Sequence, residues 1–156
     1  VPKVTVIPST SGAGGVTFRT PKTMSLYNKN YLESLIQVMY AGRVGEYILF
    51  GDEDSITTGA SKDIEQASEY IKQYIGVYGM TDSFGMINLQ VFQGYNSQAM
   101  LEEATKISKR LYNKTLKLIE ENRDTLIEIA NQLIEKETLT DSELTDIINK
   151  NKKSTN

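Results

Sequence analysis

The sequence predicts a mainly helical α+β fold, a helical bundle with a small β-hairpin or sheet at its N-terminal end. Apolar residues recur at helical spacing through most of the chain from residue 25 onward. Two short segments near the start, residues 1–7 and 16–19, instead alternate apolar and polar residues, as half-buried strands do. The turn-rich residues 8–15 between them are typical of a hairpin loop. A length of 156 residues suits one domain.

Composition excludes several classes of function. A net charge of −3 and a pI near 5.1 argue against a nucleic-acid partner, which requires clustered Lys and Arg. The chain has no Cys and no His, which excludes disulfides, thiolate nucleophiles, a His-based zinc site and a Ser-His-Asp triad within it. It has no apolar run of membrane-spanning length and no secretory signal, and it begins at Val1. We therefore expect a piece of a longer protein whose membrane anchor, if any, lies elsewhere.

The first predicted helix covers residues 25–50, and Gly51 follows it in the usual position for a C-terminal glycine. Gly42 and Gly45 interrupt good helix formers in its second half. Small residues at such positions indicate close packing against a neighbouring helix. The acidic residues 51–55 predict a solvated loop, because their carboxylates lack the spacing of a calcium-binding loop.

The next segment is a tight polar turn that opens a second helix. Thr57, Thr58 and Ser61 are all candidate N-caps, so we expect the helix to begin between residues 58 and 62. Asp63 lies in its first turn, where the helix dipole stabilises a carboxylate. Judged on position alone, Asp63 is more often a capping charge than a metal ligand. The predicted buried stripe of this helix comprises Ile64, Ala67, Ile71, Ile75 and Tyr78.

The remainder of the chain is predicted to be all helix from residue 96 on. Before it, residues 87–92 form a short strand or an irregular crossing. Residues 140–143, Thr-Asp-Ser-Glu, have the form of a capping box that opens a last short helix. We assign residues 1–150 to one domain and expect the polar residues 151–156 to form a frayed tail.

Several segments carry a family pattern in order along the chain. They are Lys-Val-Thr-Val-Ile-Pro at 3–8, Gly-Val-Thr-Phe at 15–18, Ala-Gly-Arg-Val-Gly-Glu-Tyr-Ile-Leu-Phe-Gly at 41–51, Thr-Thr-Gly-Ala-Ser-Lys-Asp at 57–63, Tyr-Gly-Met-Thr-Asp at 78–82, and the segments 121–124 and 135–139. As an ordered set they resemble the peptidase domain of the membrane-anchored, ATP-dependent zinc metalloproteases of the FtsH type, peptidase family M41. The family has Gly-Gly-Arg-Ala-Ala-Glu and Thr-Thr-Gly-Ala-Ser-Asn-Asp at the two central places. The resemblance covers nearly the whole chain.

The resemblance implies a zinc endopeptidase. In that family an H-E-x-x-H helix supplies two His ligands and a Glu general base, and an Asp in the Thr-Gly-Ala-Ser turn supplies the third protein ligand. By matching position that Asp is Asp63, which changes our interpretation of this residue from cap to zinc ligand. The second strand matches the family's edge strand, to which an extended substrate can add, although an ordinary hairpin strand explains it equally well. The candidate substrate-binding residues are Gly15, Val16, Thr17 and Phe18.

The family pattern also implies parts that this chain does not carry. The H-E-x-x-H helix with its general-base Glu is expected upstream of Val1. A separate upstream domain is expected to use ATP and Mg²⁺, and an N-terminal anchor to place the peptidase domain on the cytoplasmic side of a membrane. A homohexamer and unfolded protein substrates are the implied partners. Lys62, Gly45 and residues 9–10 depart from the family pattern.

For the 156-residue chain itself we expect no catalytic residue, no peptidase activity and at most weak zinc binding, because one carboxylate cannot replace three protein ligands. Two other functions stay open. If the parent protein has lost H-E-x-x-H, the domain is a degenerate, non-catalytic assembly or scaffold module. An acid protease using Asp52, Asp54 and Asp63 has little support, because these residues lack a paired strand-loop motif.

Overall fold

The computed structural model describes residues 1–8, 15–18, 26–92 and 97–153, and it confirms the mainly helical class with a small three-stranded antiparallel sheet. The chain divides into two compact units. We call Leu26–Glu121 the helical unit, and Val1–Ser25 together with Asn122–Asn156 the sheet unit. The elements are β1 Lys3–Thr5, β2 Val16–Phe18, α1 Lys29–Phe50, α2 Ser61–Gly76, α3 Gln98–Glu121, α4 Arg123–Lys136, β3 Thr138–Thr140 and α5 Asp141–Lys153. No helix in the described ranges is long and apolar enough to cross a membrane.

The sheet unit is built around β1, which lies between β2 and β3. β2 pairs antiparallel with β1, with Thr17 opposite Val4, and this confirms the predicted hairpin. On its other side β1 pairs antiparallel with β3, with Leu139 opposite Val4. β3 corrects the prediction that the chain is all helix from residue 96 on. β3 has only three residues, Thr138–Thr140. An apolar–polar alternation this short cannot be distinguished in the sequence from the end of a helix.

One face of this sheet packs against α4 and α5. Leu139 is fully buried, and Leu144 and Ile147 of α5 join it in a small apolar core. Three further residues pack against that core, namely Val4, Ile129 and Leu133. α5 begins with the predicted capping box, because Thr140 N–H donates to Glu143 Oε2 at 2.9 Å and Glu143 N–H lies 3.5 Å from Thr140 Oγ1.

The helical unit packs α1, α2 and α3 around one apolar core. α1 begins after Asn28, whose side chain accepts a hydrogen bond from Tyr31 N–H at 2.9 Å. Ser25 lies outside the described residues, but residues 26–28 are not helical, so the predicted start of this helix is wrong. Gly51 ends α1 with φ 77°, and the predicted C-terminal glycine is confirmed because this left-handed conformation favours Gly. Most of the core consists of Leu32, Ile36, Ala67, Ile71, Tyr74, Ile75, Met100, Ile107 and Leu111.

A buried carboxylate joins the three helices of this unit. Glu33 of α1 is 8% exposed and accepts a hydrogen bond from the Tyr74 hydroxyl of α2 at 2.8 Å. It also accepts two hydrogen bonds from the Arg110 guanidinium of α3, at 2.8 and 3.2 Å. The hydrogen bonds from Arg110 lower the pKa of Glu33, which therefore stays ionised at neutral pH. Burial, and then the bond to Glu33, raise the pKa of Tyr74, so its phenol remains a donor.

The buried face of α2 differs from the prediction at both ends. The central positions are buried as predicted, namely Ala67, Ile71 and Ile75. Ile64 in the first turn and Tyr78 beyond the last helical residue are instead 41% and 45% exposed. Tyr74, which is outside the predicted stripe, is 1% exposed because its ring fills the core while its hydroxyl reaches Glu33.

Two other sequence predictions concern loops and glycines of the helical unit. Residues 87–92 contain turns and no strand, which confirms the irregular crossing, and Leu89 N–H donates to the Gly76 carbonyl at 2.9 Å. The close packing predicted at Gly42 and Gly45 is wrong, because no described atom of another helix or loop lies within 4 Å of the position a Cβ would take at either residue. A side-chain methyl therefore has open space at both glycines.

Replacing Gly45 by Ala should stabilise this chain. Because the methyl meets open space and Ala is the better helix former, we expect Gly45→Ala to raise the free energy of unfolding by about 1 kcal/mol. Urea unfolding followed by circular dichroism measures this change. The matched control, Gly51→Ala, should lower the free energy of unfolding because φ there is 77°. A loss of stability in Gly45→Ala would contradict the open environment.

The capping box should make stability depend on pH in the acid range. Hydrogen bonds from Lys136 and Thr140 lower the pKa of Glu143 to about 2, from an ordinary value of 4.5. A lowered pKa means that the ionised carboxylate stabilises the fold above pH 4.5 and that this contribution disappears as the pH falls toward 2. Glu143→Gln should therefore lower the Tm at pH 7 and converge with wild type near pH 2. Glu135→Gln, at an exposed position in α4, should follow the wild-type pH profile throughout.

Candidate functional site

The turn before α2 is capped by Thr57. The Thr57 side-chain oxygen accepts a hydrogen bond from Gly59 N–H at 3.1 Å and so caps the short 3-10 helix Thr58–Ala60. Ala60 is buried and occupies the N-cap position of α2 without a side-chain hydrogen bond. α2 then begins at Ser61, inside the predicted range. Of the three candidate caps, Thr57 is therefore the one whose side chain caps this turn, and α2 follows the 3-10 helix directly.

Glu46 of α1 holds Thr57 in place. The Thr57 hydroxyl donates to Glu46 Oε1 at 2.5 Å, and the Thr57 backbone N–H donates to Oε2 at 3.3 Å. The hydroxyl bond from Thr57 is the main cause of a lowered pKa at Glu46, and the charge of Arg43 acts in the same direction. One ionised carboxylate thus binds both the side chain and the backbone of the residue that caps the turn.

Glu46 is a site residue that the sequence patterns do not single out. It lies within a family-like segment, but that segment gives it no separate role. The sequence carries no signal for its role, because Glu46 lies before the last turn of α1 and its partner Thr57 is 11 residues further along the chain.

Asp63 is the third residue of α2 and lies in the first turn, as the sequence predicted. Its side chain is exposed, and no hydrogen bond or ion pair is found between it and another described residue. The helix dipole favours its negative charge at this position. An unengaged carboxylate oxygen is chemically suitable as a zinc ligand. These features are compatible with one zinc ligand at Asp63, and that role stays a prediction.

The described residues do not complete a metal site by themselves. No group of three or more His, Cys, Asp or Glu side chains among them is arranged to hold a metal ion. Asp52 instead accepts hydrogen bonds from the backbone N–H and the hydroxyl of Ser55, at 2.7 and 2.9 Å, which close the acidic loop as a turn. This gives no support to a joint catalytic role of Asp52, Asp54 and Asp63. Zinc fits Asp63 only as one ligand among several.

The direction of the backbone groups in β1 follows from two hydrogen bonds in the sheet unit. Val6 N–H donates to the Glu137 carbonyl at 2.9 Å, and the Pro2 carbonyl accepts from Asp141 N–H at 3.0 Å. Both bonds run toward the β3 side. Because successive residues of an antiparallel strand face opposite neighbours, the even-numbered residues of β1 face β3 and the odd-numbered residues face β2.

The candidate substrate segment is at the edge of this sheet, and within the described chain no strand pairs with its outer side. Val16 and Phe18 pair with odd-numbered residues of β1, so their N–H and C=O groups are used inside the sheet. The N–H and C=O of Thr17 consequently face outward. Gly15 lies against β1, where a Cβ would come within 2.8 Å of the Thr5 carbonyl oxygen. Thr17 is thus the strand residue that offers backbone groups to an additional strand.

The opposite edge of the sheet is protected by the capping box. By the same alternation, Thr140 N–H faces away from β1, and it donates to the Glu143 carboxylate at 2.9 Å. A strand that added beside β3 would have to displace this charge-assisted hydrogen bond. The edge at β2 is therefore better suited to accept an extended chain.

Comparison with known proteins defines the class of this chain. Residues 1–147 match the model of peptidase family M41, and the chain belongs to that family. It is similar to the ATP-dependent zinc metalloprotease FtsH of Lachnoclostridium phytofermentans, with 42% identity over 139 residues that cover 89% of this chain and 24% of the relative.

Further relatives extend the similarity to other organisms. The chain is 41% identical over 150 residues to FtsH 1 of Alkaliphilus metalliredigens, which covers 94% of the chain and 25% of the relative. It is 30% identical over 147 residues to the chloroplastic/mitochondrial FTSH 9 of Oryza sativa, which covers 94% of the chain and 19% of the relative. Both carry the name ATP-dependent zinc metalloprotease. The chain spans about a quarter of the length of the FtsH proteins of Lachnoclostridium phytofermentans and Alkaliphilus metalliredigens.

Proposed function

We propose that this chain is the C-terminal part of the peptidase domain, residues 1–150, of a membrane-anchored, ATP-dependent zinc metalloendopeptidase that degrades unfolded or damaged proteins. The observation that carries this proposal is the exposed, unengaged carboxylate of Asp63 in the first turn of α2. It occurs in a chain that belongs to peptidase family M41 and resembles proteins named ATP-dependent zinc metalloproteases.

In this proposal Asp63 is the third protein ligand of zinc. Two His ligands and the general-base Glu come from an H-E-x-x-H helix ahead of Val1. Asp63 and the two His side chains would hold the zinc ion, which when bound would supply a water of lowered pKa as the nucleophile for peptide hydrolysis. The task of the chain described here is to present the Asp63 carboxylate from a fixed helix start. Since it supplies one ligand, the 156-residue chain alone is inactive and binds zinc weakly.

The substrate binds as an additional strand beside β2. The outward N–H and C=O of Thr17 pair with the backbone of an extended peptide, and Gly15, Val16 and Phe18 support that strand. Pairing through the backbone suits unfolded proteins as a class, because every sequence offers the same N–H and C=O groups. Lys3 on the neighbouring strand β1 makes a cation–π contact with Phe18, with its ammonium 4.5 Å from the ring centroid.

The remaining parts of the proposal concern the longer protein. A separate upstream domain binds ATP and Mg²⁺, an N-terminal segment anchors the protein with this domain on the cytoplasmic side, and the working form is a homohexamer. The name ATP-dependent zinc metalloprotease, which the similar proteins carry, supports the coupling of zinc chemistry to ATP.

A non-catalytic assembly or scaffold module is the alternative. It needs no ligand beyond this chain, whereas the peptidase needs the two His ligands and the general-base Glu from elsewhere, since the chain has no His and its described residues hold no metal-binding group. The sequence ahead of Val1 in the parent protein separates the two functions. An H-E-x-x-H motif there supports the peptidase, and a parent protein without it supports the scaffold.

Replacing Asp63 tests the proposed ligand. In the full-length protein, Asp63→Ala should lower bound zinc and casein hydrolysis by more than about 100-fold, since even residues that only orient a ligand contribute about 10- to 100-fold. Zinc analysis and a casein assay measure the two effects, with circular dichroism to verify the fold.

The matched control for this experiment is Asp54→Ala. It removes the same charge from the exposed loop and should leave zinc and activity unchanged. Full zinc and activity in Asp63→Ala would refute the ligand. No zinc and no hydrolysis in the wild-type protein would favour the scaffold, and loss of activity in Asp54→Ala without loss of zinc would favour the acid protease.

The outward backbone of Thr17 can be tested with proline. Thr17→Pro removes an N–H that makes no bond to β1, so the sheet should form as in an ordinary edge strand. We expect the KM for unfolded protein to rise about 3- to 10-fold, the contribution of one hydrogen bond, with kcat nearly unchanged. Thr17→Val keeps the N–H and should retain the wild-type KM. Equal KM values for Thr17→Pro and wild type would show that the substrate does not pair here.

A further inference from the structure

We propose that Glu46 is a positioning residue for Asp63, a role that rests on the proposed function. The Glu46 carboxylate acts through Thr57, which caps the turn from which α2 starts. It thereby fixes the place and direction in which the Asp63 carboxylate is presented. Glu46 itself is not proposed to touch zinc or substrate.

Three hydrogen bonds, together with the peptide chain between Thr58 and Gly59, connect Glu46 to the start of α2. The Thr57 hydroxyl donates to Glu46 at 2.5 Å and accepts from Gly59 N–H at 3.1 Å. The Thr58 carbonyl in turn accepts from the backbone N–H of Ser61, the first residue of α2. Asp63 follows within the same helical turn.

Among the described residues, no other side chain is found hydrogen-bonded to the turn that opens α2. The N-cap position of the helix is held by Ala60, which makes no side-chain hydrogen bond. The turn is therefore attached through Thr57, and Thr57 is attached to α1 through Glu46. If Glu46 releases Thr57, the helix start keeps its backbone bonds but loses its anchor on α1.

The contacts of Glu46 argue that it serves the turn rather than its own helix. Both hydrogen bonds found for its carboxylate among the described residues go to Thr57, and a neutral Gln is about as good a helix former as Glu. Glu46→Gln keeps the shape of the side chain and one acceptor oxygen, but the amide cannot accept both bonds from Thr57. We therefore expect weaker zinc binding without a matching loss in Tm, a pattern that a purely structural residue does not give.

The test is a double-mutant cycle on zinc affinity in the full-length protein, measured by competition with a chromophoric chelator. Glu46→Gln and Thr57→Val should each weaken zinc binding about 10-fold, the lower end for residues that orient a ligand. Because Glu46 acts through the Thr57 hydroxyl, the double variant should bind zinc no more weakly than either single variant. Thr57→Ser restores the hydroxyl and should recover the wild-type affinity.

A control in the neighbouring loop removes the same charge without touching the turn. The Glu53 side chain is exposed, and Glu53→Gln keeps the backbone carbonyl that accepts a hydrogen bond from Ile56 N–H. Glu53→Gln should therefore leave zinc affinity unchanged. If Glu53→Gln weakened zinc binding as much as Glu46→Gln does, the loss would follow from removing any nearby negative charge, and the inference would be overturned.

The outcomes separate the inference from the function on which it rests. If Asp63→Ala loses zinc while Glu46→Gln binds it as wild type does, the positioning role is wrong and the ligand stands. If Asp63→Ala keeps its zinc, both are wrong. A readout without metal is amide hydrogen exchange in the 156-residue chain, where Glu46→Gln should accelerate exchange at Gly59 several-fold. Unchanged exchange at Gly59 would also overturn the inference.

Discussion

A single buried carboxylate determines how the helical unit is put together. Taking Glu33 out of water costs several kcal/mol, and this cost is offset only because a phenol and a guanidinium supply three hydrogen bonds to it. Since Tyr74 belongs to α2 and Arg110 to α3, the network fixes where both helices lie along α1. Glu46, near the opposite end of α1, then attaches the turn that precedes α2. α2 is thus held to α1 by a buried carboxylate at one place and a more exposed one at another.

The proposed functions divide between the two units. The candidate ligand Asp63 lies in the helical unit, and the candidate substrate strand lies in the sheet unit. Each feature depends on a different kind of contact, a side-chain anchor for Asp63 and backbone direction for Thr17. The proposed metal and substrate roles can therefore be tested by separate substitutions, one at Asp63 and one at Thr17.

Features set by local chemistry could be predicted from the sequence, whereas features set by distant contacts could not. Gly51 at the end of α1 and the box formed by Glu143 follow from neighbours within a few residues, and the structure has both. The position of Asp63 in the first turn of α2 could also be predicted from the local sequence, whereas its proposed role as a zinc ligand comes from the family resemblance. The burial of Tyr74 depends on a carboxylate 41 residues away, and Leu139 is part of a strand only because β1 lies beside it. Neither contact leaves a periodic signal.

The central position of β1 has a consequence for synthesis of the chain. β1 leaves the ribosome shortly before β2, but its second neighbour β3 is made more than a hundred residues later, as the separation of 132 between Thr5 and Glu137 shows. An isolated two-stranded hairpin is marginal in water, so the sheet is completed last. Until then the β3-facing side of β1 carries unpaired N–H and C=O groups that can pair with other nascent chains. A protein of this fold therefore depends on β3, and on whatever protects β1 before β3 is made, to avoid aggregation.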